Sequence, residues 1–168
     1  LKKIPVAAPG YITLEVLLGQ KPDLFLSGYQ YGTSVPGDTS AGAITPDELE
    51  KHGVKCYNIT ESLIRVMKKQ PVSLEDTYTD LRNLGVIFDV QDRAEQRIAS
   101  MKERVAAVEA KLEGVDAAKP IGVFIYQTWN APDQPPRTVG GQAMPSALMK
   151  MAKARNIFDD IDDSYVKV

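Results

Sequence analysis

The longest regular pattern of apolar and polar positions in the chain runs from about Gln91 to Leu112. Within it, apolar residues recur at intervals of four or three positions, at Ala94, Ile98, Met101, Val105, Val108 and Leu112. This spacing places one narrow apolar stripe on an α-helix and leaves its other faces to charged residues. At about 1.5 Å per residue the segment predicts a rod of roughly 33 Å, capped by Asp92 and ended by Gly114. Such a rod is either a coiled-coil arm, a long surface helix or a rigid spine between two lobes.

Before this segment, the pattern predicts a strand–loop–helix–strand unit. Thr13 is expected to cap a short helix through Leu18, and the apolar run Leu24 to Leu26 reads as a buried strand. Thr45-Pro46 has the form of a helix start with Pro in the first turn, and Val54 to Ile59 reads as a second buried strand. Alternation of this kind is typical of an α/β unit.

A second unit is predicted from residue 73 onwards. Ser73 caps a helix that Gly85 is expected to stop, and the continuous apolar run Ile121 to Tyr126 predicts a parallel strand. A helix is predicted to open at Met144-Pro145-Ser146 and to run through about Ala152, and Asn156-Ile157-Phe158 is the segment expected to end it. The acidic segment after it is assigned no element.

Composition excludes several classes of function. The chain has 168 residues, is 43 % hydrophobic and 25 % charged, and carries a net charge of −2 with no concentrated basic segment, so nucleic acid is not an expected partner. No apolar run approaches the ~20 residues of a membrane helix. Cys56 and His52 are the only cysteine and histidine, which leaves no intrachain disulfide, and we expect no metal site and no cofactor. His52 is expected on an exposed helix end, and Cys56 as a small buried hydrophobe.

Several segments, in order along the chain, resemble the iron-siderophore and cobalamin class of ABC-transporter solute-binding proteins. They are the TLE at Thr13–Glu15, the KPDL at Lys21–Leu24, the "LG" run before Asp92-Arg93-Ala94-Glu95, and the Pro136–Gly141 and Arg155–Phe158 regions, which look like that family's "TxGG…GxNIF".

This resemblance implies an α/β fold with two partial three-layer α/β lobes, each with a parallel sheet, joined by one long backbone helix. The implied division is part of the N-terminal lobe at residues 1–88, the backbone helix at 89–114 and the first part of the C-terminal lobe at 115–168. By the same comparison the chain lacks the first units of one lobe and stops inside the other, as a truncated chain, a fragment or a degenerate member would. Lys153-Ala154 stands where the family usually has Gly-Gly or Ala-Gly, so this chain departs from the family's pattern at that turn.

The function implied is the substrate-binding component of an ABC importer. It would hold a ferric siderophore, haem or a corrinoid in a cleft between the lobes and deliver it to the permease subunits. The expected location is extracytoplasmic, with membrane attachment only through a lipid anchor outside this chain. The single His52 argues against a zinc or manganese site, because such sites use several histidines.

Candidate ligand-binding residues lie in or beside the loops that follow the predicted strands, because ligands of open α/β sheets bind outside the carboxyl ends of the strands. Phenol and indole rings supply flat apolar walls, and the guanidinium of Arg137 offers planar donors to carboxylate, catecholate or hydroxamate oxygens. Loop packing and a solvated charge are the alternatives. The candidates are Tyr29, Gln30, Tyr31, Tyr126, Gln127, Trp129, Arg137 and Met144.

Two further features carry competing interpretations. The resemblance makes Glu15 the carboxylate that pairs with permease arginines, whereas a carboxylate in the first turn of a helix also stabilises that helix through its dipole. Gly140-Gly141 is either a tight turn or an anion-binding nest.

The remaining alternatives are a small α/β enzyme or nucleotide-binding domain and a non-functional fragment. The first lacks a phosphate-binding loop motif, a dinucleotide fingerprint and a nucleophile elbow. The second would self-associate, for example as a homodimer through unpaired strand edges.

Overall fold

A computed structural model of the chain describes residues 12–27, 44–63, 70–126 and 137–167. The chain forms two compact units, Leu1–Met67 and Lys68–Val168. In the described residues of both units, helices alternate with short strands, which confirms the predicted α/β class.

The described residues of the first unit form two parallel strands and three helices. Its elements are α1 (Leu14–Gly19), β1 (Leu24–Ser27), α2 (Pro46–Lys51), β2 (Lys55–Asn58) and α3 (Thr60–Leu63). β1 and β2 pair in parallel, with Phe25 opposite Cys56. The predicted caps are present: the Thr13 hydroxyl accepts a hydrogen bond from the Val16 amide at 3.3 Å, and the Thr45 hydroxyl accepts one from the Glu48 amide at 3.1 Å. The core of the unit consists of Leu17, Ile44, Leu49 and Val54.

The described residues of the second unit form the long helix, two other helices and two strand pairs. Its elements are α4 (Leu74–Ile87), α5 (Gln91–Lys111), β3 (Ile121–Val123), β4 (Arg137–Val139), α6 (Met144–Met151), β5 (Ala154–Asn156) and β6 (Tyr165–Lys167). β3 and β5 pair in parallel, as predicted for this class, whereas β4 and β6 form an antiparallel pair that the sequence did not predict.

The long helix confirms the predicted apolar stripe. Along α5, Ile98 is buried at 2 % exposure, and the stripe becomes open towards the C-terminal end, where Val108 is 51 % exposed. That end lines an apolar groove of about 380 Å³ shared with α4 and α6. Among the described residues, no helix is long and apolar enough to cross a bilayer. Whether α5 acts as a backbone between two lobes stays a prediction, as does the division at residues 88 and 114.

The corner between α4 and α5 corrects two predicted boundaries. Gly85 does not stop α4, which continues to Ile87, and the chain turns at Asp89 with a φ of 54°. Gly85 is needed for packing instead, because a Cβ there would lie 2.8 Å from the Cβ of Ala94. Asp92 is not the cap of α5: it lies in the first turn, and Val90 precedes the helix.

The last third of the chain departs most from prediction. The strand predicted from Ile121 to Tyr126 ends at Val123, and Ile121 is 76 % exposed rather than buried. The helix α6 ends at Met151, in agreement with the predicted end at about Ala152, but the chain then forms the strand β5, and the acidic segment leads into β6. Both strands were missed because three-residue pairs depend on distant partners more than on local pattern.

Candidate functional site

Three aromatic side chains form a cluster at the carboxyl ends of the parallel strands β3 and β5. Phe124 directly follows β3, and its ring centroid lies 6.4 Å from that of Tyr126 and 5.9 Å from that of Phe158, which follows β5. The contact between Phe124 and Phe158 is edge-to-face, an arrangement that aromatic pairs favour. We call Phe124, Tyr126 and Phe158 the aromatic cluster.

The aromatic cluster presents an open apolar surface. Phe124 is 47 % exposed and Tyr126 is 59 % exposed, while Phe158 is half-buried. Apolar surface of this kind at the carboxyl edge of a parallel sheet is suited to bind a bulky ligand with flat apolar faces. The sequence predicted Tyr126 as a ligand-facing residue but missed its two partners, because Phe158 was assigned to the end of a helix rather than to the end of a strand.

A buried network of hydrogen bonds around Asn156 joins the end of β5 to β4 and α6, next to the aromatic cluster. The Asn156 side-chain amide donates to the carbonyl of Val139 at 2.7 Å and to the hydroxyl of Ser146 at 2.8 Å. The Ser146 hydroxyl in turn donates to the carbonyl of Gly140 at 2.7 Å. Asn156 and Ser146 are each 1 % exposed, so these bonds satisfy polar groups that have no access to solvent.

The Gly140-Gly141 turn is a packing site and not an anion-binding nest. The two amides donate to the carbonyls of Ser164 and Ile161, both at 2.9 Å, and are therefore not available to a ligand. A Cβ at Gly140 would lie 2.2 Å from the carbonyl oxygen of Asp163, and one at Gly141 would lie 2.3 Å from that of Asp159. The glycines are thus required by the close approach of the acidic segment.

The other predicted site residues are distributed over several elements. Arg137 begins β4 and Met144 begins α6, so both belong to the same unit as the aromatic cluster but to other elements. Glu15 is exposed in the first turn of α1. Five predicted ligand-binding residues lie outside the described residues: Tyr29, Gln30, Tyr31, Gln127 and Trp129.

The single histidine and the single cysteine of the chain both lie among the described residues. His52 is the exposed C-cap of α2, as predicted. Cys56 is half-buried in β2 beside the core of the first unit, and burial raises the pKa of its thiol, which keeps it protonated at neutral pH. Within the described part of the chain, no group of three or more His, Cys, Asp or Glu side chains is placed to hold a metal ion.

Comparisons with known proteins identify the family. The model of the family described as periplasmic binding protein matches residues 1–168. The chain belongs to this family. The assignment confirms the family resemblance stated from the sequence.

Solved structures agree with this assignment at the level of the fold. A periplasmic binding protein from Veillonella parvula has 24 % identity and a TM-score of 0.75, with 98 % of this chain and 50 % of that chain covered. A protein of an Fe³⁺-hydroxamate transport system from Saccharomonospora viridis has 25 % identity and a TM-score of 0.68, with 99 % of this chain and 50 % of that one covered. The vitamin B12-binding protein BtuF of Vibrio cholerae has 19 % identity and a TM-score of 0.60, with 92 % and 51 % covered.

The chain therefore spans about half the length of the solved structures that it matches. A comparison with curated proteins gives no match.

Proposed function

We propose that the chain is the ligand-binding part of a substrate-binding protein of an ABC importer, located outside the cytoplasm. Its ligand is a ferric siderophore, haem or a corrinoid, which it delivers to permease subunits. The observation that supports this most directly is the aromatic cluster at the carboxyl ends of β3 and β5, in a chain of the periplasmic binding protein family.

The chemistry of the aromatic cluster fits this class of ligand. Phenylalanine and tyrosine rings offer large, rigid, apolar contact area at small cost in conformational entropy, and the Tyr126 hydroxyl adds one polar contact. Matched solved structures come from proteins named for Fe³⁺-hydroxamate transport, haem binding and vitamin B12 binding. In this proposal Arg137 takes a negatively charged group of the ligand.

A titration with three probes tests the proposal. Haemin, a ferric hydroxamate siderophore and cyanocobalamin are each added to the protein, and binding is followed by probe absorbance and by the fluorescence of Trp129, the single tryptophan. We expect saturable binding of at least one probe and a loss of affinity of about tenfold in Phe124→Ala, the value of roughly one buried aromatic contact.

Phe88→Ala is the matched control, because Phe88 is 54 % exposed in the α4–α5 corner of the same unit while Phe124 is 47 % exposed. Unchanged signals with all three probes would show that the ligand class is wrong. An equal loss of affinity in both variants would show that the aromatic cluster is not the site.

Glu15 is proposed to pair with arginines of the permease. Its exposure in the first turn of α1 leaves the carboxylate accessible. Glu15→Gln should leave the affinity for the ligand unchanged and lower ligand-dependent uptake by cells that carry the importer, whereas Glu50→Gln, an exposed site on α2, should change neither. Normal uptake with Glu15→Gln would refute the pairing.

Self-association through open strand edges is proposed as a secondary property. β3 pairs on one side with β5, and its Ile121 side chain is 76 % exposed. Light scattering on the purified chain should give the mass of a dimer, and a monomer at all concentrations would refute this.

A further inference from the structure

Asn156 connects the buried interior of the second unit to the exposed aromatic cluster. It is the last residue of β5, is 1 % exposed, and stands two residues before Phe158. Its side chain makes three hydrogen bonds, two as a donor and one as an acceptor. The acceptor bond is the one that reaches the aromatic cluster.

The donor side of the Asn156 amide has a fixed orientation. Its nitrogen is held between the Val139 carbonyl at 2.7 Å and the Ser146 hydroxyl at 2.8 Å, which come from β4 and α6. The oxygen and the nitrogen of a side-chain amide are bonded to the same planar carbon. Once the two donor bonds fix the nitrogen, the direction of the oxygen is therefore fixed as well. Rotating the amide by half a turn would place its oxygen against the Val139 carbonyl, which is unfavourable in a site closed to water.

The acceptor side therefore points at the chain that follows β5. The Asn156 side-chain oxygen accepts a hydrogen bond from the Phe158 amide at 3.2 Å. The Ile157 amide donates to the Val123 carbonyl at 3.1 Å, which extends the pairing of the two parallel strands by one residue. Together these bonds set the backbone from which the Phe158 ring meets the Phe124 ring, 5.9 Å away between centroids.

We propose that Asn156 is a positioning residue for ligand binding. It holds the Phe158 backbone in one conformation and so preorganises the aromatic cluster, without itself touching the ligand. As far as the ligand is concerned, this inference rests on the proposed function. Preorganised walls raise affinity because less conformational freedom is lost on binding, and the residues that support a site must themselves be locked by packing and hydrogen bonds.

A pair of substitutions at position 156 separates positioning from stability. Asn156→Ala and Asn156→Ser both lose the donor bonds to Val139 and Ser146, so both are expected to lower stability to a similar degree. A serine hydroxyl can still accept a bond from an amide two residues further on, whereas alanine cannot. The bond to Phe158 is thus the difference between the two variants.

The readout is fluorine NMR of protein labelled with 4-fluorophenylalanine. The chain has four phenylalanines: Phe25, Phe88, Phe124 and Phe158. In Asn156→Ala we expect the resonances of Phe124 and Phe158 to shift or broaden and those of Phe25 and Phe88 to stay in place. In Asn156→Ser the first two should return towards their original positions. Equal spectra for the two variants, or changes at all four resonances alike, would overturn the inference.

Wild-type protein supplies a second measurement that does not depend on the variants folding. The Phe158 amide should exchange with deuterium at least tenfold more slowly than the same amide in an unfolded peptide, and exchange at the unfolded rate would overturn the inference. Haemin titration then addresses the ligand: affinity should fall about three- to tenfold in Asn156→Ala and recover in Asn156→Ser. Displaced fluorine resonances without any probe binding would support the positioning role and contradict the proposed function instead.

Discussion

Lys153 occupies a backbone position that favours glycine, and its side chain compensates for this. Its φ is 52°, in the left-handed region, at the turn from α6 into β5. Its ammonium group donates to the Leu112 carbonyl at 2.8 Å and to the Val115 carbonyl at 3.1 Å, at the C-terminal end of α5. The Lys153 side chain therefore links the end of the long helix to the start of β5. We expect Lys153→Ala and Lys153→Gly to separate these two effects.

The magnitudes follow from the two opposing terms. A left-handed conformation costs a non-glycine residue about 1–2 kcal/mol. Hydrogen bonds from a charged donor contribute about 1.5–3 kcal/mol when shielded, and the C-terminal end of a helix adds about 0.3–1 kcal/mol for a cation. Because one of the two bonds is exposed, the two hydrogen bonds and the attraction to the helix end together contribute about 1–2 kcal/mol to stability. Lys153→Ala loses the bonds and keeps the strain, so it should lower the free energy of unfolding by about 1–2 kcal/mol. In Lys153→Gly the relief of strain offsets the loss, so the free energy of unfolding should remain within about 1 kcal/mol of the wild type.

Thermal and urea unfolding of the two variants measure these terms. For a chain of this length each kcal/mol shifts Tm by about 2–4 °C, so the alanine variant should melt several degrees below the glycine variant. Asp89→Gly is the control, because Asp89 has a φ of 54° in the α4–α5 corner, and glycine there should stabilise by up to about 1 kcal/mol. If the alanine and glycine variants were equally stable, the backbone argument would be refuted, and an alanine variant as stable as wild type would show that the two hydrogen bonds contribute nothing.

Three further predictions concern packing and pH. Gly85→Ala should lower stability by about 1–3 kcal/mol through the clash with the Ala94 side chain, and Ala94→Gly in the same chain should restore part of it, as thermal melts would show. Gly141→Ala should prevent the acidic segment from closing over the turn, with a loss above about 4 kcal/mol in urea unfolding, because a backbone carbonyl lies 2.3 Å from the added carbon. The hydrogen bond from Lys51 lowers the pKa of Glu48, so the stability contributed by this pair is present above the pKa of the unfolded chain and is lost as pH falls through the lowered pKa. Glu48→Gln should therefore lower Tm at neutral pH, where the pair is intact, and the difference in Tm from wild type should shrink as pH falls below about pH 5.

The amino-acid sequence by itself determined the elements whose signals are local. Caps at Thr13 and Thr45 and the apolar stripe of α5 depend on residues within a few positions of one another, and the structure has all of them. The ordered motifs also sufficed to indicate the family, which the match over residues 1–168 confirms. Gly140-Gly141 and Asn156 were parts of the motifs that carried this resemblance, but the motifs gave no physical role for any of the three residues.

Tertiary structure decided what those roles are, because each depends on segments that are distant in sequence. Gly140 and Gly141 are glycines because the acidic segment passes against them, and Asn156 is buried because β4 and α6 supply its acceptors. The aromatic cluster exists only because β3 and β5 pair in parallel and end at the same edge. A local pattern contains no record of such pairing, since the hydrogen bonds and ring contacts that favour it form only after the chain has brought the two strands together.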